Sequence, residues 1–497
     1  MEIVFTSLIE LISSPTTMGL LLLAIPIGMF FGAVPGLGGK LGIALMIPFV
    51  FGMDMIPGAV FLLSMHAVVH TGGSIPSILF GVPGTGPDAA TIVDGYPMTQ
   101  KGQAGRALGA SLGASGFGGI VGAAVLALLI PVLEPVVLSF SPAEFFLLAI
   151  LGITFIALLS GDSLIKGIIV GLFGLMLAFV GMDPQMGIAR YTFGQLFLWD
   201  GVDIITAILA LFAVPEMIAL GVKGGSISNI TKEAAKYSMS EILDGIVDVW
   251  RHRWLALRTA IIGAVIGIIP GLGGDAASWI CYGHAVQSSK TPERFGHGAV
   301  EGVIAPETAN NSKEGGSLLP TLFFGVPGSS GMAIMLGAFV ILGIQPGPQL
   351  IQTNLNLVWT LIWALVLANV IAVVMFLGVA RWMGLLAFIR GGLLIPFVLI
   401  LAMLGSYLSR GHWENLVIIV VFGILGYGLK RFNWSRPPFV IGLVLGPIAE
   451  KSLHQALALW GPAFLLRPIS MVLIAIIVGT VGFTVYRGRT RKPIRVG

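Results

Sequence analysis

The sequence predicts an all-helical, multi-pass membrane protein of two inverted-topology repeats, with broken helices or re-entrant hairpins and roughly 11–13 transmembrane segments. Three observations predict it. Of 497 residues, 56% are hydrophobic and 10% charged, with a mean hydropathy of +0.97. Soluble domains carry about 25% charged residues, and only a bilayer solvates this much apolar surface. The chain also repeats itself: "PGLGG" stands at 35–39 and at 270–274, and "GGSIPSILFGVPG" at 72–84 is answered by "GGSLLPTLFFGVPG" at 315–328. Chance gives one such pentamer, hardly both motifs in the same order at nearly equal spacing. Finally, Lys and Arg are placed so that equivalent loops of the two halves fall on opposite faces.

In chain order, an apolar run, Leu20–Phe31, meets the break "GAVPGLGGK" at 32–40. No Lys or Arg precedes it and no small-residue cleavage site follows, so no removable signal peptide is expected. After the motifs, long helices match in order: Ala104–Ile130 with Leu357–Ala380, Pro142–Leu159 with Ile395–Leu408, and Ile165–Val180 with Val417–Leu429. Phe145–Leu159, Ile204–Leu220, Val358–Val379 and Pro468–Val485 reach or approach the roughly 20 residues of a spanning helix. The first repeat is assigned to residues 1–221 and the second to 259–466, with a final helix and basic cytoplasmic tail at 467–497. Between them, residues 222–258 form a polar linker holding Lys223, Lys232, Lys236, Arg251, Arg253 and Arg258, which places it in the cytoplasm.

Counting back from the linker, the loop 181–200 with only Arg190 falls outside, Lys166 inside, the turn 131–142 outside, and Lys101 and Arg106 inside. In the second half the counterpart of that last loop, 344–356, carries no charge, while Arg381, Arg390, Lys430, Arg431 and Arg436 mark inside loops. Arg410, Lys451 and Arg467 run against the pattern. The net charge of +4 and pI near 9.2 reflect this inside bias rather than a nucleic-acid partner. The single cysteine, Cys281, excludes an internal disulfide.

In hydrocarbon an unpaired backbone N–H or C=O costs several kcal/mol, so a broken helix survives only where protein or a polar cavity encloses it. After each break, at 32–40 and 267–275, a new helix is expected to begin near Lys40 or Asp275. Its free N–H groups and dipole hold anions. "GVPGTG" (81–86) and "GVPGSSG" (325–331) put Thr85, Ser329 and Ser330 at N-cap positions. Four such tips around a pseudo-twofold axis make a midplane site for an organic anion. The plainer reading, that Gly and Pro only allow kinks and close packing, suits one break better than two matched pairs. It does suit Gly105, Gly109 and Gly113, whose spacing of four marks a helix-packing face.

"APETANNSKEGGS" (305–317) brings Glu307, Asn310, Asn311, Ser312, Lys313 and Glu314 to the edge of the second hairpin, and "SMHAVVHTGGS" (64–74) brings His66 and His70 to the first. The Asn pair, running into a glycine break, suits a carboxylate and a co-transported cation; Lys313 and Glu314 fit a solvated loop equally well. His66 and His70, one turn apart, have no third ligand beside them, so packing or hydrogen bonding is favoured over metal binding. Lys40 at one tip and Asp275 at the other suggest anion on one side and cation on the other, with the cation near Asn310, Asn311 and Asp275. "GASLG" (109–113) lies in a small-residue helix rather than on a strand-to-helix turn, "GLGGDA" (271–276) follows a membrane helix, and Lys40 lacks a Walker A context. No catalytic constellation remains, and no cofactor is expected beyond a coupling cation.

The runs "PGLGG", "GGSIPSILFGVPG", "ATIVDGYPMTQKGQAGRALG", "PERFGHGAVEGVIAPETANNSKEGGSLLPTLFFGVPGS" and "LGAFVILGIQPGPQL" closely resemble the large membrane subunit, TctA, of the tripartite tricarboxylate transporters, over nearly the whole chain. The resemblance implies a bacterial inner-membrane permease working with a small membrane subunit and a periplasmic solute-binding protein that delivers citrate or another small carboxylate. It implies uptake driven by Na+ or H+ and an elevator-like movement. It also implies an anion site built from Gly36, Gly38 and Gly39 with Gly271, Gly273 and Gly274, and from Gly72, Gly73 and Ser74 with Asn310, Asn311, Gly315, Gly316 and Ser317. The "GVPG" turns, with Gly84, Thr85, Gly328, Ser329 and Ser330, complete it. This chain departs from the family pattern at His66 and His70, where small residues and Tyr are usual, and at Ser312, Lys313 and Glu314, where the family is Ala-rich.

The function expected is import of a di- or tricarboxylate with cations. The rival from another class is an anion channel lined by the same half-helix N-termini. An intramembrane enzyme using His66, His70 or Cys281 is the weaker rival.

Overall fold

The computed structural model of the chain describes residues 2–35, 37–159, 164–183, 186–223, 237–270, 273–383 and 391–490. Gly36 and Gly271 of the candidate site, and Lys232, Lys236 and Arg390 of the loop-charge pattern, lie outside the described residues. So do the side chains of Lys223, Asp275 and Arg381.

The first half comprises α1 (Glu2–Ser13), α2 (Pro15–Ala33), α3 (Gly38–Val50), α4 (Met55–Phe80), α5 (Ala89–Gln100), α6 (Ala104–Leu138), α7 (Pro142–Leu159), α8 (Leu164–Ala178), α9 (Ile204–Ile208) and, after a π turn at Leu209–Ala213, α10 (Val214–Lys223). A two-residue pairing, β1 (Gly181–Met182) with β2 (Ala189–Arg190), closes the loop before α9. The second half comprises α11 (Met239–Arg251), α12 (Arg253–Ile268), α13 (Gly273–Ser288), α14 (Glu301–Phe324), α15 (Ser330–Ile341), α16 (Pro348–Met383), α17 (Gly391–Arg410), α18 (Glu414–Arg431), α19 (Pro437–Trp460) and α20 (Pro468–Thr490).

Five of these segments are long and apolar enough to cross a bilayer, namely Pro15–Ala33, Met55–Phe80, Ala104–Leu138, Ile204–Val222 and Pro348–Val379, and a pair bent by 67° at Arg467 makes a sixth. This is a polytopic membrane protein. Among the described residues, other apolar helices, such as Gly38–Val50 and Ser330–Ile341, are shorter than a full span. Two arginines that run against the loop-charge pattern are neutralised in place: Arg410 Nε lies 3.5 Å from Asp203 Oδ1, and Arg467 Nε 3.1 Å from Glu144 Oε1.

The helices restart at Gly38 and Gly273, two residues before the expected Lys40 and Asp275. Both glycines are left-handed, with φ of +63° and +66°, a conformation glycine adopts at no steric cost. The "GGS" motifs correct a second expectation. They do not break the helix but lie inside α4 and α14, which run on to left-handed Gly81 and Gly325. A mid-helix glycine costs only about 1 kcal/mol, less than unpaired backbone in hydrocarbon. The missing side chains allow close crossings instead. A Cβ on Gly32 of α2 would collide with the Val69 carbonyl oxygen of α4, and one on Gly267 of α12 with that of Lys313 of α14. Likewise Gly72 abuts Met29 as Gly316 abuts Ala264. The two helix pairs thus make the same crossing, and its register matches Gly72 with Gly316, one residue out of step with the "GGS" letters.

The packing face of Gly105, Gly109 and Gly113 receives α11, an amphipathic helix within the basic segment 222–258. Cβ atoms there would meet Glu241, the Ile242 carbonyl and Val249 respectively. Overpacking such a contact costs about 1–3 kcal/mol. Gly109→Leu is therefore expected to lower the unfolding midpoint in detergent and to open α11 to protease; an unchanged midpoint refutes this packing role.

Candidate functional site: a buried polar cluster between the helix breaks

Helices α4 and α14 form the centre. All residues from Gly58 to Phe80 and from Gly302 to Phe323 are buried. The stretch expected at a hairpin edge, including Lys313 and Glu314, is therefore interior helix, because the crossings with α12 and α6 enclose it on both sides.

Where α4 and α14 face each other, His70 Nε2 lies 2.9 Å from Glu314 Oε1 and His66 Nε2 3.5 Å from Glu314 Oε2. The Lys313 ammonium donates to the same Oε1 and stands 3.4 Å from His70 Nε2. The two imidazoles meet edge to face, 5.4 Å between centroids. Lys313 and Glu314 are 3% and 1% exposed. Contrary to expectation, the histidine pair does have a third group beside it: ligand atoms of His66, His70 and Glu314 lie within 4.8 Å of one another. Spacing could not reveal it, since Glu314 comes from the other half of the chain.

The breaks press directly on this cluster. A Cβ on Gly39, at the first tip, would lie 3.1 Å from His66 Nδ1, and one on Gly331, at the start of α15, 2.7 Å from the same ring. At the second tip, Gly274 fits between Lys313 Cε and Asn310 Oδ1, at 2.8 and 3.0 Å, and Gly273 neighbours Ser329. A Cβ would come under 3 Å at Gly274 and Gly331 and be tight at Gly39, while Gly273 requires glycine for its left-handed turn. Gly38 touches nothing within 4 Å, so its turn rather than its space requires glycine.

The remaining candidates divide. Asn310 Nδ2 donates to Asp88 Oδ1 at 3.1 Å; Asn311 Nδ2 donates to Asn369 Oδ1 at 2.7 Å and Thr71 Oγ1 at 3.2 Å. Ser329 is an N-cap, accepting from Met332 N at 3.2 Å, and Ser330 is the first residue of α15. Thr85 is not a cap: its N and Oγ1 donate to Asp88 Oδ2 at 2.8 and 2.6 Å, and α5 begins only at Ala89. Three residues separate Thr85 from that helix, and the Asp88 carboxylate takes up both its donors. Ser74 accepts from Ser111 of α6 at 2.7 Å. Gly73, Gly84, Gly315, Gly316, Gly328 and Ser317 sit at close backbone approaches: Gly84 rests on Gly32 and Gly73, as Gly328 rests on Gly267 and Ser317, each with a Cβ clearance under 3 Å. These loops are seated by the same pair of helices in both halves.

Asp88, Thr71 and Asn369 were missed. Asn369 carried a signal, a lone amide within "WALVLANVIAVV", since polar groups inside a span face partners. Among the described residues, both His66 ring nitrogens, Asn310 Oδ1, Asn311 Oδ1, Glu314 Oε2 and Ser317 Oγ are buried without a hydrogen-bond partner. Buried polar atoms are paired in more than about nine cases in ten. These unpaired atoms lie around one cluster, where Lys313, the two imidazoles and the amides present donors and the amide oxygens present acceptors.

The tripartite tricarboxylate transporter TctA family matches residues 18–441. The chain is 32% identical over 462 residues to the uncharacterized 52.8 kDa protein in TAR-I ttuC' 3'region of Agrobacterium vitis, covering 90% of this chain and 89% of that protein. It is 35% identical over 218 residues to the uncharacterized protein in TAR-II ttuC' 3'region of the same organism, covering 43% of this chain and 90% of that one. No solved structure matches it. With matched helix breaks closing on a buried polar cluster in a polytopic membrane protein, and the family match spanning most of its length, the chain belongs to the TctA family of tripartite tricarboxylate transporters, a family of transporter subunits rather than enzymes.

Proposed function

We propose that the protein is the large permease subunit of a binding-protein-dependent secondary transporter of the bacterial inner membrane. It imports a citrate-like di- or tricarboxylate by symport with Na+ or H+, and its two repeats, inverted in topology, carry the site across by an elevator-like movement. A small membrane subunit and a periplasmic solute-binding protein complete the system. The observation that carries this function is the enclosed polar cluster against which Gly39, Gly274 and Gly331 bring backbone. Helix starts there offer N–H donors to carboxylates, and Asn310 and Asn311 bring buried amides to the same place. A site so enclosed exchanges its ligand by conformational change, whereas a pore needs a continuous wetted path.

Counterflow separates the two. Vesicles preloaded with unlabelled citrate, malate or tartrate should accelerate uptake of the same labelled acid and give a transient overshoot; flux without overshoot means a pore. In the same assay, Gly273→Leu, which forces a side chain into a left-handed position, and Asn311→Ala, which removes two hydrogen bonds, are expected to abolish uptake while the protein stays in the membrane by immunoblot. Normal uptake by both variants refutes the site.

A further inference from the structure

We propose that His66, His70, Lys313 and Glu314 form a proton-binding site in which the Lys313 ammonium is a built-in counter-cation, so that the ion accompanying the substrate is H+ and neither Na+ nor a metal; this rests on the carrier function proposed above. A carboxylate as buried as Glu314 cannot remain ionised alone, because desolvation costs several kcal/mol per ion. A carrier coupled to a dissociable cation would leave that countercharge to the ion. Here the chain supplies it, since the Lys313 ammonium is bonded to Glu314 Oε1.

The same ammonium disfavours a metal centre. His66, His70 and Glu314 have the spacing of three ligands, but a cation on His70 Nε2 would sit against a positive charge held 3.4 Å from that nitrogen.

Charge balance identifies the proton. Ammonium and carboxylate cancel, and with both imidazoles neutral the cluster is uncharged. Each substrate carboxylate that enters between the tips adds one negative charge to an enclosed centre, and a proton on the imidazole pair offsets one of them. Histidine is the side chain that makes this change near physiological pH. His66 is the ring nearest the tips: it lies against Gly39 and Gly331, and neither ring nitrogen is engaged in a hydrogen bond among the described residues.

Among the described residues, the other charged groups around the cluster are few. Lys40 of α3 acts on His66. Asp88 reaches the cluster through Asn310, and Glu307 of α14 is held by Thr91 and Ser115. Arg106 of α6 is bonded to Asp248, Arg253 and Arg258 of α12 are exposed, and Asp94 of α5 is taken by Tyr282 and the backbone of Gly298 and Ala299. Helices α2 and α15 carry no titratable side chain, and α16 presents the Asn369 amide.

The test begins on the purified full-length protein without substrate. At constant ionic strength, exchanging choline for Na+ should leave the unfolding midpoint unchanged, and micromolar Zn2+ should not raise it. A Na+-dependent rise, or a Zn2+-dependent rise that H66Q/H70Q removes, overturns the proposal in favour of a dissociable cation or a metal centre. Neither measurement requires that a carboxylate be carried, so failure here is distinguishable from failure of the carrier function. Membrane vesicles with all subunits then receive labelled citrate in Na+-free medium. An inward proton gradient should drive accumulation, and H66Q/H70Q should cut the accumulation ratio at least tenfold, with any residual uptake indifferent to the gradient. Accumulation by the unmodified protein that requires Na+ overturns the proposal, as does a full response to the pH gradient in H66Q/H70Q.

Discussion

Gly32→Leu or Gly267→Leu is expected to prevent recovery of folded protein. At both positions even a Cβ would collide with a carbonyl oxygen of the crossing helix, Val69 in one half and Lys313 in the other. Backbone cannot swing aside as a flexible side chain does. Overpacking a well-ordered contact costs about 1–3 kcal/mol, and each of these crossings carries a second glycine contact, Gly72 on Met29 and Gly316 on Ala264, that opens with the first. Size-exclusion profiles of detergent extracts should show aggregate in place of a monodisperse peak. Gly19→Ala and Gly283→Ala, where a Cβ meets nothing within 4 Å, should behave as the unmodified protein. A monodisperse, normally stable Gly267→Leu variant would show that the crossing does not set the fold.

The second large effect is at the buried ion pair. Glu314→Leu leaves the Lys313 ammonium 3% exposed and without its carboxylate, and breaking a buried pair costs about 3–5 kcal/mol. Replacing both partners by apolar groups of similar volume removes that penalty. Lys313→Met with Glu314→Leu is therefore expected to recover the unfolding midpoint of the unmodified protein while carrying no labelled citrate. The contrast matters more than either value. A stable single variant would mean that Lys313 finds another partner, and an active double variant would remove the pair from the transport cycle.

Much of this was legible in the chain itself. A chain with 10% charge and two copies of a Pro-Gly motif admits no soluble fold, and the helix expected from Pro142 begins there in the structure. The spacing of Gly105, Gly109 and Gly113 announced a close contact, but not that α11 would fill it, since an amphipathic helix and a polar linker look alike where the partner surface is unknown. The interruption at 32–40 announced an enclosed turn. The "GGS" letters misled, because glycine pairs read as breaks in water-soluble chains, while in a bilayer the cost of unpaired backbone keeps them helical.

Composition, periodicity and repetition by themselves determined a polytopic helical protein with paired breaks and a family resemblance, because solvation by lipid and the conformational limits of Pro and Gly act locally along the chain. Only tertiary structure decided that His66 and His70 meet Glu314, that Lys313 neutralises it, and that Gly72 answers Gly316 rather than Gly315. Those facts depend on how two helices from opposite halves cross. The crossing is set by where backbones can approach within van der Waals contact, a constraint written in three dimensions and not in residue spacing.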